Sequence, residues 1–231
     1  MIHIFIPAYN EEASIKGLIS SIYDSFEQKN IEFELLVVDD GSTDKTPEIL
    51  SNFKSRPNFF LITHETNRGL GETERDGFEF IALKSHPKDI IIRVEGDNTH
   101  DPKYIFEIIK KLNEGFDVVN TSRFQPGGGQ RGIGFYRAFI SYGANLFMKI
   151  LLRVKNVKDF SCGFRGYRAR VLKDAIGIFG NNFLQLRGLG FTSTLEIIIK
   201  MKMLGCKFAE VPFELRYDKK LSSSKMIGSI T

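Results

Sequence analysis

The sequence predicts an α/β domain built on a mostly parallel sheet with helices on both faces. Three observations predict it. Strand-like and helix-like segments alternate through the first half of the 231 residues. The strand-like runs are apolar on successive residues, as strands covered on both faces must be. No internal repeat and no linker-like stretch divides the chain, so a single domain, 1–231, is expected.

Each element has its own justification. IHIFIPAY reads as a buried strand that stops at Pro7. Asn10 with Glu11 and Glu12 supplies a cap and an acidic first turn, and Ile15, Leu18, Ile19, Ile22 and Phe26 fall on one helical face. FELLVVDD is a second strand, followed by a Gly-Ser-Thr-Asp turn and a helix through Pro47 to about Lys54. FFLITHE is a third, and a helix opened by Gly69 and Gly71 runs to Leu83. DIIIRVE is a fourth. Asp101 then caps a helix with Pro102 at its first position, and Glu114-Gly115 closes it. DVVNTSRF is a fifth strand. The glycine-rich 125–132 predicts a mobile loop, either a lid or an ordinary connection. The segment 137–153 is a helix apolar almost all round, which suits a core helix and an interfacial one equally. FTSTLEIIIKMKMLG is a further helix ending at Gly205, and KFAEVPFELRY a last strand-like piece.

Hydrophobic residues make up 42% and charged residues 26%, the balance of a soluble globular chain. A net charge of +4 and a pI near 8.9 are too weakly basic to argue for nucleic acid, but suit an anionic ligand or a membrane surface. Cys162 and Cys206 show no metal-ligand spacing and read as reduced, small core residues. No apolar run reaches the roughly 18 residues that a spanning helix needs. No signal peptide is expected, and SSSKMIGSIT stops without a terminator, as though cut ahead of a further segment.

In open parallel sheets, ligands bind outside the carboxyl ends of the strands. Strand one delivers Pro7, Tyr9, Asn10 and Glu11 there; strand two delivers Asp39, Asp40, Gly41 and Ser42. Strand four runs into RVEGDNTHDP, with Glu95 and Asp97 flanking Gly96, and strand five ends on Ser122 and Arg123. Carboxylates gathered without nearby histidines suit a hard cation, Mg²⁺ or Mn²⁺, and period-two side chains would aim Glu95 and Asp97 the same way. The alternative is that Asp97 and Asp101 are turn and cap residues and Glu95 a solvated charge. His64 and His100 read as turn or cap residues. Arg165, Arg168 and Arg170 serve either a phosphate or a solvated face.

The motifs IPAYNEE, VVDDGSTDKT, NRGLGETERDGF, VEGDNTHDP, DVVNTSRF, FSCGFRGYR and a late R…SK stand in the order seen in glycosyltransferase family 2. The chain resembles in particular its polyprenyl-phosphate sugar transferases, the dolichol-phosphate mannose synthase group, from Ile2 to about Met226. The resemblance implies a GT-A type fold, a nucleotide-sugar donor carrying a GDP- or UDP-hexose, and a divalent metal. It implies a nucleotide-sugar-binding half, 1–124, and an acceptor-binding half, 125–231. Carried over by position, Pro7, Tyr9, Asn10 and Glu11 hold the nucleoside, with Val38 and Asp40 at base and ribose. Glu95 and Asp97 with Gly96 form the metal motif. Arg123, Arg137, Arg216 and Lys225 bind phosphate. Two departures stand out: Glu95 replaces an aspartate, and the segment from Arg216 to Lys225 is longer than the family's, so Lys219 or Lys220 could act in place of Lys225.

The reaction so implied is an inverting displacement at a sugar's anomeric carbon, with Asp97, Arg123 and Arg137 as the catalytic set and a polyprenyl phosphate as acceptor. An ionised phosphate needs positioning more than a base, and the second half presents arginines where a hydroxyl acceptor would need a carboxylate. Place and partners follow: the cytoplasmic face of a membrane, peripheral or anchored by a segment absent from this chain. Two alternatives stand beside this reading. One is a family 2 transferase acting on a glycan or other hydroxyl, the other a non-catalytic nucleotide-binding module with a degenerate metal site. Nucleotidyl transfer lacks the basic glycine-rich loop it would require.

Overall fold

The computed structural model describes residues 1–185 and 192–220. The predicted phosphate ligand Lys225 and the 222–231 tail lie outside the described residues. Five strands sit where the apolar runs predict them: β1 (Ile2–Ala8), β2 (Phe33–Asp39), β3 (Phe59–Thr63), β4 (Ile90–Arg93) and β5 (Val118–Ser122). The remaining strands are β6 (Gly129–Arg131), β7 (Arg165–Arg168), β8 (Phe208–Pro212) and β9 (Glu214–Arg216). Seven of them form one sheet in the order β3-β2-β1-β4-β7-β5-β8. Every pairing in it is parallel except the two made by β7.

Helices cover both faces. On one side α1 (Ile15–Glu27), α2 (Thr46–Ser51) and α4 (Tyr104–Asn113) bury Ile19, Leu50 and Ile108 against Ile4, Val37 and Ile92. On the other, α3 (Leu70–Lys84), α6 (Ala169–Phe179) and α7 (Thr192–Met203) bury Phe78, Leu172 and Ile198 against Phe5, Val38 and Ile91. Alternate residues of each strand feed opposite cores, so a strand covered twice must be apolar at successive positions. That is why these strands are legible as unbroken apolar runs.

Three expectations change. β7 lies between β4 and β5, where the sequence shows no apolar run. Arg165 is buried there because it donates to the carbonyls of Thr194 and Phe160, at 2.6 and 3.1 Å. Arg168 donates to the Leu112 and Lys88 carbonyls, and Arg170 pairs with Asp117. Arg165 and Arg168 are therefore structural, whereas Arg170 lies on the solvated face with its charge paired to Asp117. The glycine-rich stretch is not wholly irregular: Gly129–Arg131 pairs in parallel with β9, whose backbone supplies the partner. Asn10 does not cap α1. Ser14 holds the cap position, and Asn10 adopts φ 50° to accept a hydrogen bond from Thr43 N at 2.8 Å.

The helix left open by its sequence, α5 (Phe135–Leu152), is exposed. Asn145 is its one buried residue, accepting from Phe160 N at 2.7 Å. Phe135, Tyr136, Phe139, Phe147, Ile150 and Leu151 face outward, with Phe135 87% accessible. An apolar patch of this kind on a folded chain marks an interaction surface. Among the described residues no helix is long and apolar enough to cross a membrane.

Candidate active site

The carboxyl ends of β1, β2 and β4 meet as the parallel sheet requires. Ser14 joins two of them: its hydroxyl lies 2.9 Å from Glu11 Oε2 and 2.9 Å from the carbonyl of Gly96. Glu11 is buried and its backbone N–H donates to Thr46 Oγ1 at 2.8 Å. Gly96 sits so close to β1 that a Cβ there would lie 3.2 Å from the Pro7 carbonyl oxygen. Pro7, Tyr9, Asn10, Glu11 and Gly96 thus belong to one corner of the fold. Ser14, which builds that corner, shows only as a helix-opening serine in the sequence.

At the end of β2 the roles divide otherwise than expected. Val38 is wholly buried in the core under α3 and presents no side chain to a ligand. Both oxygens of Asp40 are engaged in structure. Oδ1 meets His64 Nδ1 at 2.7 Å and Arg68 N at 2.9 Å, while Oδ2 accepts from Gly69 N at 2.8 Å. His64 continues to Asp76 at 3.0 Å. Asp40 therefore holds the turn that opens α3. Its neighbour Asp39 is the one with spare capacity: Ser42 N donates to Oδ1 at 3.2 Å, and the buried Oδ2 has no hydrogen-bond partner among the described residues. Burial raises the Asp39 pKa above the usual carboxylate range. Gly41 follows with φ 67°, and a Cβ there would strike the Thr66 backbone, so only glycine permits this turn.

The EGD segment also departs from expectation. β4 ends at Arg93 and the chain turns through Gly96, with Asn98 at φ 60°, so Glu95 and Asp97 do not continue one extended strand. Each carboxylate meets its own cation. Glu95 contacts Arg93, two residues back on the same side of the chain. Arg93 is 1% exposed and also meets the buried Glu74 at 3.0 Å. Burial disfavours its charge, but Glu95 and Glu74 outweigh that and raise its pKa. Asp97 Oδ2 accepts from Lys220 Nζ at 2.6 Å, and Oδ1 from Thr99 Oγ1 at 2.6 Å. The Thr99 hydroxyl lies 2.8 Å from His100 Nδ1, and the buried His100 ring stacks on Phe213. Burial alone would lower the His100 pKa; Asp97 and Cys162 raise it to about 9. Burial likewise opposes ionisation of Asp97, yet His100, Lys220 and Thr99 hold its carboxyl well below the usual range.

The second half of the chain reaches this turn directly. Arg216 N donates to the Thr99 carbonyl at 3.2 Å. The Tyr217 ring is met by both Lys220 Nζ, at 5.4 Å, and the exposed Arg137 guanidinium, at 4.9 Å. Arg137, on the first turn of α5, is thereby linked to Asp97 through Tyr217 and Lys220. The other two expected phosphate ligands already hold carboxylates. Arg123 grips Asp159 with Nε and Nη2, at 2.7 and 2.9 Å, and Arg216 forks onto Asp218 at 2.9 and 2.7 Å. Glu214 pairs with Arg131 at 2.6 Å.

The residues can be tested against a divalent cation. No three His, Cys, Asp or Glu among the described residues converge as a ready-made cage. Glu95 is committed to a buried arginine. Asp97, by contrast, already carries an ammonium on the oxygen that Thr99 leaves open, a stand-in for a cation at that place. Mg²⁺ and Mn²⁺ sites built on one carboxylate, water and a substrate's phosphates are well known. The arrangement fits an ion on Asp97 with Glu95 outside its shell.

Comparison with known proteins shows the family and the fold. The family model for Glycosyl transferase family 2 matches residues 3–176. A dolichol-phosphate mannosyltransferase from Pyrococcus furiosus is 30% identical over 92% of this chain, which spans only 55% of that protein's length. A polyprenol monophosphomannose synthase from Mycolicibacterium smegmatis is 26% identical, over 98% of this chain and 81% of its own. Among solved structures, glucosyl-3-phosphoglycerate synthase from Mycobacterium tuberculosis with Mn²⁺ and uridine-diphosphate-glucose superposes with a TM-score of 0.66. It shares 19% identity over 99% of this chain and 73% of that one. Another crystal structure of that enzyme holds Mg²⁺ and uridine-diphosphate. At this identity the likeness speaks for the fold, which is of the GT-A type.

Proposed function

The chain belongs to glycosyltransferase family 2, and we propose that within it this protein moves a hexose from a nucleoside-diphosphate sugar to a polyprenyl phosphate at a membrane surface. One observation carries the reading. An exposed apolar helix, α5, carries Arg137 on its first turn, and Arg137 is linked through Tyr217 and Lys220 to Asp97. A lipid lying along α5 would bring its phosphate to the arginine beside the donor. Three carboxylates of the acceptor half, Asp159, Asp218 and Glu214, are each held by an arginine. They are poorly placed to serve as a base, and an ionised phosphate needs none.

The residues would divide the work as follows. Pro7, Tyr9, Asn10 and Glu11 frame the nucleoside, and the spare oxygen of Asp39 accepts an N–H from the base. Gly96 lets the EGD turn pack against Pro7 and Glu11, which brings Asp97 beside that frame. A divalent ion held by Asp97 would, when bound, neutralise the charge growing on the leaving diphosphate. Arg137 orients the acceptor phosphate, while Arg123 and Arg216, fixed by their carboxylates, preorganise positive charge around it. Attack by the phosphate oxygen in a single displacement inverts the anomeric centre. The half-domains 1–124 and 125–231 would correspond to donor and acceptor binding, at the cytoplasmic membrane face.

The test is transfer from labelled GDP-mannose or UDP-glucose, with Mn²⁺, to polyprenyl phosphate in anionic vesicles or to a panel of soluble sugars. Product on the lipid phosphate alone is expected, and it should be lost in a Phe139→Glu/Phe147→Glu variant that still binds nucleotide. Product on a soluble sugar alone would overturn the acceptor assignment. A second reading has one observation in its favour: both EGD carboxylates are already paired with internal cations, as a nucleotide-binding module without turnover could tolerate. Absence of transfer and of donor hydrolysis, with nucleotide binding indifferent to Mn²⁺, would select it.

Base recognition separates two adjacent aspartates. Asp39→Ala is expected to weaken nucleotide binding about tenfold or more, the worth of a hydrogen bond to a charged group, with little loss of stability. Asp40→Ala should instead lower the melting temperature, because it strips the acceptor from Arg68 N and Gly69 N. Calorimetric titration with thermal melts distinguishes them, and the reverse pattern would reassign the base contact to Asp40.

A further inference from the structure

We infer that Lys220 is a tethered cation that closes the Asp97 site in the donor-free chain and trades places with the incoming metal–diphosphate. The inference rests on the reading of Asp97 as the cation ligand. Its first support is the exhaustion of that carboxylate. Lys220 Nζ holds Oδ2 at 2.6 Å, and Thr99 holds Oδ1 with its hydroxyl at 2.6 Å and its N–H at 3.2 Å. An ammonium and a divalent ion on the same oxygen repel each other at contact distance. A metal that binds Oδ2 therefore favours release of Lys220.

Its second support is how Lys220 is delivered. The residue directly follows a 3-10 turn, Tyr217–Lys219, and its N–H donates to the Tyr217 carbonyl at 3.2 Å. That turn is docked on two sides. Arg216 N bonds to the Thr99 carbonyl, and Gly132 packs so tightly on the Asp218 backbone that a Cβ there would strike it. The ammonium is therefore held near Asp97 by the fold, 123 residues away in sequence, and not by local chance. The pair is not sealed off, the side chains being 15% and 18% exposed, so an incoming ligand can reach it. Once displaced, the lysine stays tethered beside the newly arrived diphosphate and adds a positive charge to its cradle.

Lys220 should consequently have opposite effects on two ligands, which a purely structural ion pair would not. In calorimetric titrations of the full chain, Lys220→Met should bind Mn²⁺ alone about tenfold more tightly, because an internal competitor is gone. The same variant should bind Mn²⁺–GDP or Mn²⁺–UDP about tenfold more weakly. Asp97→Asn should abolish the Mn²⁺ isotherm in both backgrounds. If Mn²⁺ binding survives Asp97→Asn, the cation reading of Asp97 fails, and this inference with it. If Asp97→Asn abolishes binding while Lys220→Met leaves Mn²⁺ affinity unchanged or weaker, the exchange alone is overturned.

Discussion

Asp97→Asn is expected to abolish sugar transfer, lowering kcat by on the order of 10³-fold or more, while the chain remains folded. The size follows from what a Lewis acid contributes: several kcal/mol of charge stabilisation at the leaving diphosphate, about 1.4 kcal/mol per decade of rate. Asparagine has the same shape, and its amide oxygen can still accept from Thr99, so the turn survives. What is lost is the anion. Lys220 is then left without its carboxylate, and the buried His100 loses the main group that favours its proton. Stability should fall modestly, since both the lysine and the aspartate reach solvent. Single-turnover transfer measured beside a thermal melt checks it. Activity within tenfold of the parent chain would remove Asp97 from the reaction.

The second large effect is on folding. Arg93→Met should destabilise the domain by about 3–5 kcal/mol, the usual cost of leaving a buried charge without its partner. Arg93 is 1% exposed and serves two carboxylates, Glu74 from α3 and Glu95 at the head of the EGD turn. The space is built around it: a Cβ on Gly163 would strike its guanidinium. For a chain of this size that loss lowers the melting temperature by roughly 10 °C. Adding Glu74→Gln to Arg93→Met should recover part of it, because the pair is removed together and one uncompensated charge disappears. Urea unfolding of the single and double variants provides the measurement. A change below about 1 kcal/mol in Arg93→Met would mean that Glu74 and Glu95 are not charged in the native state. The same experiment bears on the site, since Glu95 freed from Arg93 would become available to a metal.

How far the site was legible can be followed residue by residue. The strand ends that gather it were readable because β1, β2 and β4 are buried twice and so run apolar over 4–8, 35–38 and 90–92 before the charged residues at their ends. The likeness to family 2 transferases was carried by the same strand ends. Yet Asp39 and Asp40 cannot be told apart as neighbours in a string. They point to opposite faces, and only the turn at Arg68–Gly69 determines that Asp40 is consumed and Asp39 is not. Glu95 looked like a metal ligand because its partner Arg93 reads as one more charge in RVEGD; burial, invisible in the sequence, makes that arginine a permanent counter-ion.

By itself, then, the sequence determined the alternation of strands and helices, the two-sided burial of the parallel sheet and the family. All three rest on periodicity and local order, which a linear chain displays directly. Tertiary structure alone decided which charges neutralise which. It inserted the arginine-bearing β7 into the centre of the sheet by giving its guanidinium groups carbonyl partners. It left α5 outside, although a core helix would carry the same side chains. It also brought Lys220 onto Asp97 across 123 residues. The physical reason is common to all of these. Hydrophobic burial is repeated along the chain and leaves a period in it, whereas an ion pair is a contact between two points whose separation in sequence carries no signal.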